Sequence, residues 1–431
     1  MNNVKFFPIF TVATVLALEE AIESQLDEMV MGNVFDDVAF GAINLIEPYM
    51  TLVNFVSYLI CVGGAALIVR AHGAGDKDRM NRIFSYSVSL CIIVGILFFA
   101  VYMTFSGFFV NLVAGGTQQF DIAGEVYFWQ CFYAMLFPVC VFLQTCVLYM
   151  GGYLYCGIWT TLCMILNPFL SLILGKNIGA DGIMLATVII NILEIVLMCA
   201  YFINKKHSFK FRFIVDFSLL KQILVLGLGE SSIFISIAIM EFAANSVAVK
   251  TYNTMGIVAI SLVVNLLELV MYISEGISEY ETVAINEYIG ENKALLMKQA
   301  VKTMLIAVIV EGLCFSALML FAPSGIISLF DIESEAITKT SALAIQIAAI
   351  APVFICFTRV TAIFYQYTGR IKRTIFLFLG SWGIAPALCC ITLGRLSIYG
   401  VVWGLILGIL IVPVVFFIIS RYVLRHPGTI I

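Results

Sequence analysis

Long apolar segments recur along the entire chain and limit it to one class of fold. A helix needs about 20 apolar residues to cross the roughly 30 Å hydrocarbon core of a bilayer, because each residue advances it by about 1.5 Å. The chain is 62% hydrophobic and 12% charged, whereas a soluble domain is about 25% charged. We therefore predict an all-α polytopic membrane protein with twelve transmembrane helices, at residues 6–29, 38–69, 83–110, 122–149, 153–175, 180–203, 219–248, 255–285, 299–322, 338–365, 373–393 and 397–420.

The basic residues separate by side of the membrane when the N-terminus is placed in the cytoplasm. Of the 23 Lys and Arg residues, nineteen then fall on the inner side and four on the outer side, namely Lys176, Lys250, Lys339 and Arg395. An excess of basic residues on the cytoplasmic side is typical of inner membrane proteins. We expect a multi-pass protein of the plasma membrane with both termini in the cytoplasm.

The chain divides nearly in half at one basic, polar-aromatic connection. We predict an N-terminal six-helix lobe at 1–203, a cytoplasmic linker at 204–218 and a C-terminal six-helix lobe at 219–431. Similar residues recur between the halves at separations of 217 to 221 residues: Gly73 and Gly290, Gly152 and Gly369, Gly179 and Gly400, Asp27 and Asn245. Because six is even, the two lobes form a parallel repeat, which is a transporter architecture.

Motifs for catalysis and metal binding are missing from the sequence. The three histidines, His72, His207 and His426, are far apart and lie in predicted loops or at the tail. No HExxH, GxSxG or P-loop pattern occurs, and no cluster of basic residues resembles a nucleic-acid-binding patch. We expect no enzymatic activity, no cofactor or bound metal, and no nucleic-acid partner.

The end of the first apolar segment carries carboxylates where a spanning helix should have almost none. Glu20 and Asp27 are seven residues apart and share a helical face, with Glu23 about 60° away. A charged side chain at the bilayer centre costs roughly 2.5–3.5 kcal/mol, so such groups persist beside a wet cavity, a cation or a partner. The alternative is that the helix ends at Leu18 and the acids form a water-exposed loop, but 6–18 alone is too short to span a bilayer.

Four stretches resemble motifs of the multidrug and toxic compound extrusion (MATE) family. The most specific is the run at 62–79, VGGAALIVRAHGAGDKDR, which begins in the second predicted helix and continues past its end. The other three are LDEMVMG at 26–32, GADGIMLAT at 179–187 and QYTGRIK at 366–372. The resemblance covers the whole chain and implies an efflux antiporter with two six-helix lobes that alternates between inward- and outward-facing states.

The resemblance also implies a cation-coupling site in the N-terminal lobe. Asp27 matches the key acid of the family's first helix. Cys163 and Asn167 stand where the family's fifth helix has Asn-x-x-x-Asp-Pro, so an amide and a carboxylate have become a thiol and an amide. A thiol is a poor ligand for sodium. We therefore expect a proton rather than Na⁺ as the coupling ion, with Asp27, Glu23 and Glu20 titrating together and with Asn167, Cys163 and Thr187 beside them.

The C-terminal half has further acids within predicted helices. Glu268, Glu275 and Glu279 lie within about 40° on one face of the eighth helix. We expect a substrate cavity lined by Glu268, Glu275, Glu241 and Asn245. Arg359 is the only deeply placed base, and a structural ion pair with an acid of the eighth helix is the alternative there.

Three functions are compatible with these features. The first is a cation-coupled antiporter that exports lipophilic and often cationic small molecules. We expect it to be a monomer whose other partners are membrane lipids. The second is a flippase for a lipid-linked precursor from the same superfamily, which would favour a basic cavity. The third is a non-transporting relative that kept the fold. The acidic interior favours the first.

Overall fold

The computed structural model describes residues 10–15, 37–114, 120–203, 216–252, 254–328 and 335–425, and nearly all of these are helical. The helices up to the centre of the chain are α1 (Asp37–Gly73), α2 (Lys77–Thr104), α3 (Ser106–Ala114), α4 (Phe120–Val147), α5 (Tyr153–Ile178), α6 (Ala180–Ile203) and α7 (Phe217–Thr251). Those that follow are α8 (Thr254–Ile273), α9 (Glu275–Gly290), α10 (Ala294–Phe321), α11 (Pro323–Ile327), α12 (Glu335–Ala348), α13 (Ala351–Tyr367), α14 (Ile371–Phe378), α15 (Ala385–Leu393) and α16 (Ile398–Arg425).

The predicted all-helical membrane fold is confirmed, whereas the count of twelve spanning helices is not. Nine described helical runs are long and apolar enough to cross a bilayer, or ten when α12 and α13 count as one bent span. One of the nine, Phe120–Ile178, covers two predicted spans. The first predicted span lies mostly outside the described residues, because only 10–15 of it are described.

The run Phe120–Ile178 folds back on itself at a π-helical turn, Leu148–Gly152. Gly151 has a φ of 88°, which L side chains rarely adopt, so a glycine is needed here. The Sγ of Cys156 lies 3.7 Å from the carbonyl oxygen of Gln144, twelve residues earlier. In a straight helix, twelve residues would separate the two by about 18 Å along the axis. The chain therefore reverses between α4 and α5, as the two separate predictions require.

By their internal contacts, the residues form two compact units. The first unit comprises Met1–Ser231 and Thr282–Met297, and the second comprises Ser232–Glu281 and Lys298–Ile431. The boundaries at Ser231 and Glu281 fall within α7 and α9. Most of the predicted linker, 204–215, lies outside the described residues, so the proposed lobe boundaries remain a prediction.

Three predicted spans contain interruptions that their hydropathy does not reveal. In the eighth, one turn residue, Ser274, separates α8 from α9, although Val258–Gly290 is still one long helical run. The tenth bends by 43° between α12 and α13, just before Pro352. The eleventh contains a π-helical turn, Leu379–Ile384, followed by Pro386. Proline removes a backbone donor, which accounts for the bend before Pro352.

The repeat is visible in two turns of the first unit that have the same backbone hydrogen bonds, displaced by 217 residues. Gly75 and Asn292 occupy equivalent places, with positive φ of 72° and 57°. Each turn is closed by three N–H to C=O bonds: Ala74 to Arg70, Gly75 to His72 and Asp76 to Ala71 in one, and Glu291 to Glu287, Asn292 to Ile289 and Lys293 to Tyr288 in the other. Both are helix C-caps with a left-handed residue after the last helical turn.

The two turns also pack against each other reciprocally within the first unit. A Cβ added to Gly73 would overlap the carbonyl oxygen of Glu287, and one added to Gly290 would overlap that of Arg70. Since Gly290 and Glu287 are the repeat equivalents of Gly73 and Arg70, this is one contact made twice about a local two-fold axis. Arg70 Nε also donates to Asn286 Oδ1 at 2.6 Å.

Candidate functional site

A row of small polar residues runs inside the first unit on α5 and α6, which pack together. Cys163, Asn167 and Ser171 are spaced four residues apart on α5 and are each 0% exposed. Thr187 and Asn191 have the same spacing on α6 and are 7% and 5% exposed. Residues four apart share a helical face. We call these five residues the polar stripe.

Three members of the polar stripe, Cys163, Asn167 and Thr187, were predicted as part of the coupling site, and all three are buried. Asn191 Nδ2 donates to the Thr187 carbonyl oxygen at 3.3 Å. Sequence reasoning missed Ser171 and Asn191, although their four-residue spacing from Asn167 and Thr187 was a usable signal. The predicted acids Asp27, Glu23 and Glu20 lie outside the described residues.

The chemistry of the polar stripe is neutral. An amide offers both donors and an acceptor, and a hydroxyl offers one donor and an acceptor, so these groups can bond a carboxyl in either protonation state. A buried polar group without a partner is costly in apolar surroundings. The polar stripe is therefore suited to hold a carboxyl group that changes its charge.

The second unit contains a different arrangement, centred on Arg359 of α13. Arg359 is 2% exposed, and its Nη2 lies 3.1 Å from Glu275 Oε2. Its Nε donates to Ser278 Oγ at 2.9 Å, and its Nη1 donates to the Met271 carbonyl oxygen at 2.8 Å. The guanidinium thus has a charged partner and two neutral ones, which offsets much of the cost of burying it.

Glu311 of α10 adds a second carboxylate to this arrangement. Both of its carboxylate oxygens are buried, and the Cys356 thiol is its hydrogen-bond partner. Arg359 acts on it electrostatically, and the thiol of Cys356 lies beside it. Sequence reasoning missed Glu311, although a single acid within the 28-residue apolar helix α10 is itself a signal. We call Arg359, Glu275, Ser278 and Glu311 the arginine network.

The predicted substrate-cavity residues have different surroundings. Glu275 belongs to the arginine network, so the ion pair weighed as the alternative is present. Glu268 and Glu241 are half-buried, and Asn245 is exposed. Glu268 on α8 and Glu275 on α9 belong to one helical run, Val258–Gly290, with the turn residue Ser274 between the two helices. Whether these four residues line a cavity remains a prediction. Within the described residues, no group of His, Cys, Asp and Glu side chains is arranged to hold a metal ion.

Comparisons with known proteins agree with this fold. A family model described as MatE matches residues 15–173. No curated protein matches the sequence. Among solved structures, an outward-facing multidrug resistance MATE family transporter of the MOP superfamily has a TM-score of 0.85 at 18% identity, with 100% of this chain and 99% of that chain covered.

Two further solved structures are similar over almost their whole length. A MOP superfamily transporter from Pyrococcus furiosus Vc1, described as having a binding pocket of reverse polarity that suggests a different function, has a TM-score of 0.86 at 19% identity; 97% of this chain and 94% of that one are covered. A MATE crystal structure in the bent conformation has a TM-score of 0.85 at 19% identity, with 97% and 93% covered.

The apolar helices and the shared architecture define a multi-pass membrane protein with a transporter fold. The resemblance to the MATE family is confirmed. Residues 15–173 match its family model, and the chain has the fold of MATE transporters of the MOP superfamily.

Proposed function

We propose that this protein is a proton-coupled antiporter that exports lipophilic, often cationic, compounds by alternating access and catalyses no chemical reaction. The observation that carries the proposal is the polar stripe. It is buried on the two helices whose residues match the family's coupling motifs, and it consists of neutral groups only. We place the protein in the plasma membrane as a monomer with both termini in the cytoplasm.

Proton coupling is preferred to sodium coupling because of the donor set. Sodium is best held by several hard oxygen ligands, and Cys163 contributes a thiol where the family has an oxygen ligand. Burial disfavours a charged carboxylate and so favours its protonated form. Asp27, with Glu20 and Glu23 predicted near it, would take up a proton from outside. Asn167 and Thr187 would form hydrogen bonds with the Asp27 carboxyl group both before and after it is protonated. The proton must bind the two states of the transporter with different affinity to drive exchange.

Export of cations is preferred to flipping of an anionic lipid-linked precursor because of the charge in the second unit. Arg359 is neutralised by Glu275, so it does not provide the free positive charge that a pyrophosphate group would need. Glu268 and Glu241 are half-buried carboxylates that could attract a cation. Because one similar solved transporter is described as having a binding pocket of reverse polarity, the charge preference of this protein for its substrates should be measured directly.

Accumulation of ethidium in expressing cells tests the proposal. We expect cells with the native protein to accumulate less ethidium and a protonophore to abolish the difference. Asp27→Asn should raise accumulation to the level of cells without the transporter, because an amide cannot carry the proton. The matched control is Glu28→Gln, which alters a neighbouring acid about 100° around the predicted first helix and should leave export intact. Full export by Asp27→Asn would contradict the proposal.

A further inference from the structure

A basic cluster lies at the turn between α13 and α14 in the second unit, outside the polar stripe and the arginine network. Gly369 has a φ of 83°, and the Arg370 N–H donates to the Tyr365 carbonyl oxygen at 2.8 Å. This turn brings the chain back over its own last helical turn. As a result, the Cζ atoms of Arg370 and Arg373 lie 5.9 and 5.2 Å from the centroid of the Tyr365 ring.

Among the described residues, no acidic side chain forms an ion pair with this cluster. Arg370 and Arg373 make no ion pair with a described residue, and exposed Lys372 lies between them, so three cations occur within four residues. No Asp or Glu follows Glu335 anywhere in the sequence. The helices α13, α14 and α16 therefore carry no acidic side chain, and two guanidinium groups share one aromatic ring. An anion between them would relieve their repulsion.

An apolar groove begins at the same tyrosine. The Tyr365 ring packs edge-on against Phe416 of α16, with 5.5 Å between the ring centroids. Beside them is a cavity of about 60 Å³ whose lining includes Thr361, Pro413 and Phe417. Phe376 and Phe417 are 52% and 56% exposed. In a membrane-spanning protein, exposed aromatic side chains on such a groove lie against hydrocarbon rather than water.

We propose that this groove and cluster form a binding site for an anionic glycerophospholipid. Its phosphate would lie between Arg370 and Arg373, and part of one acyl chain would occupy the groove between Tyr365 and Phe417. Guanidinium groups bind phosphate oxygens in a bidentate manner, and basic pockets at the ends of transmembrane helices bind anionic head groups. A soluble phosphate would leave the groove unused, and the amine of a zwitterionic head group would be repelled by the three cations.

Native mass spectrometry of the purified full-length protein tests the site. Detergent-solubilised protein is titrated with phosphatidylglycerol and, separately, with phosphatidylcholine of the same acyl chains. We expect tighter retention of phosphatidylglycerol and about 25-fold weaker retention in Arg370→Gln/Arg373→Gln, because each basic residue near an anionic lipid contributes a factor of about five. The matched control, Lys298→Gln/Lys302→Gln, removes two exposed cations from the start of α10 and should retain the lipid like the native protein.

Two further arms separate the parts of the proposed site. Thr361→Phe fills the groove without changing the charge and should weaken the binding of phosphatidylglycerol. Soluble glycerophosphate should compete poorly with phosphatidylglycerol, because it lacks acyl chains. Arg370→Lys/Arg373→Lys keeps the charge and should retain part of the binding. Thermal denaturation of each variant checks that it is folded. Equal retention of the two lipids, an equal loss in the control pair, or full competition by glycerophosphate would overturn the proposal.

Discussion

The polar stripe of the first unit and the arginine network of the second solve the problem of burying polar groups in opposite ways. The polar stripe uses neutral amide, hydroxyl and thiol groups, whereas the arginine network pairs a guanidinium with carboxylates. A neutral site can accept a change of charge on a neighbouring acid at little cost. In an ion pair, a change of charge on either partner leaves the other charge buried without its counter-charge, which is costly. We therefore propose that coupling takes place in the first unit and that the arginine network stabilises the second.

The two arrangements also lie at non-equivalent positions of the repeat. At a separation of 217 residues, Arg359 corresponds to Phe142, Glu311 to Val94, and Asn167 to Ile384. The turns at Gly75 and Asn292 kept their backbone geometry, while the buried polar residues were placed on different helices in each half. A duplicated fold thus preserves its chain reversals more closely than its interior chemistry.

The largest expected effect is on stability, from removal of the buried arginine. Arg359→Ala leaves Glu275 and Glu311 without their cation and should lower the stability of the second unit by about 3–5 kcal/mol. Thermal denaturation in detergent would report this as a large drop in Tm. Arg359→Met/Glu275→Met removes the ion pair as a whole and should recover part of the loss, because only Glu311 is then left without its cation. An unchanged Tm for Arg359→Ala would show that the network has no structural role.

The next effect separates transport from stability in the polar stripe. Asn167→Leu removes a buried amide and should cost about 1–3 kcal/mol, while lowering ethidium export more than tenfold. Asn177→Leu on the same helix is the matched control, because Asn177 is exposed and bonds only the Ile173 carbonyl oxygen. Export and Tm are measured on both. Equal export by the two variants would remove the polar stripe from the coupling mechanism.

A smaller, selective effect is expected at Glu268. Glu268→Gln should reduce export of cationic compounds about fivefold more than export of neutral ones, which corresponds to about 1 kcal/mol of lost attraction. Glu275→Gln should instead lower Tm, because Glu275 is paired with Arg359. Glu335→Gln serves as the control, since the side chains of its ion pair with Lys339 are 83% and 75% exposed. If Glu268→Gln lowered the export of cationic and neutral compounds equally, Glu268 would have a structural role like that of Glu275.

The smallest effect concerns Asp216, which caps α7 outside both arrangements. Its Oδ1 accepts the Leu219 N–H at 3.1 Å and the Ser218 N–H at 2.9 Å, and its Oδ2 lies 2.6 Å from Arg82 Nη2. These contacts, the Leu219 N–H foremost, lower the pKa of Asp216. A lowered pKa means that its contribution is present above the ordinary carboxyl range and is lost as the pH falls through that range.

Asp216→Asn should therefore lower Tm slightly at pH 7, and the difference from the native protein should shrink as the pH falls below about 4. Asp78→Asn at the start of α2 is the control. A difference that stays constant with pH would mean that the carboxylate charge of Asp216 contributes nothing.

The sequence predicted the helices and the family well because both depend on local signals. The span at 180–203 matches α6 at both ends, since Gly179 provides the left-handed cap that stops α5. The turn residue Ser274 was not predicted, because the hydropathy of the eighth span carries no sign of it. Glu311 was overlooked because one acid does not stop an apolar helix, and its meaning comes from Arg359, which only the fold brings near.

Gradient-driven transport in proteoliposomes tests the central claim most directly. Vesicles with the purified native protein receive an imposed pH gradient at equal sodium, and a second set receives a sodium gradient at equal pH. We predict ethidium exchange in the vesicles with the pH gradient and none in those with the sodium gradient. Asp27→Asn should give no exchange with either gradient. Transport driven by sodium alone would contradict the central claim, because Na⁺ rather than a proton would then be the coupling ion.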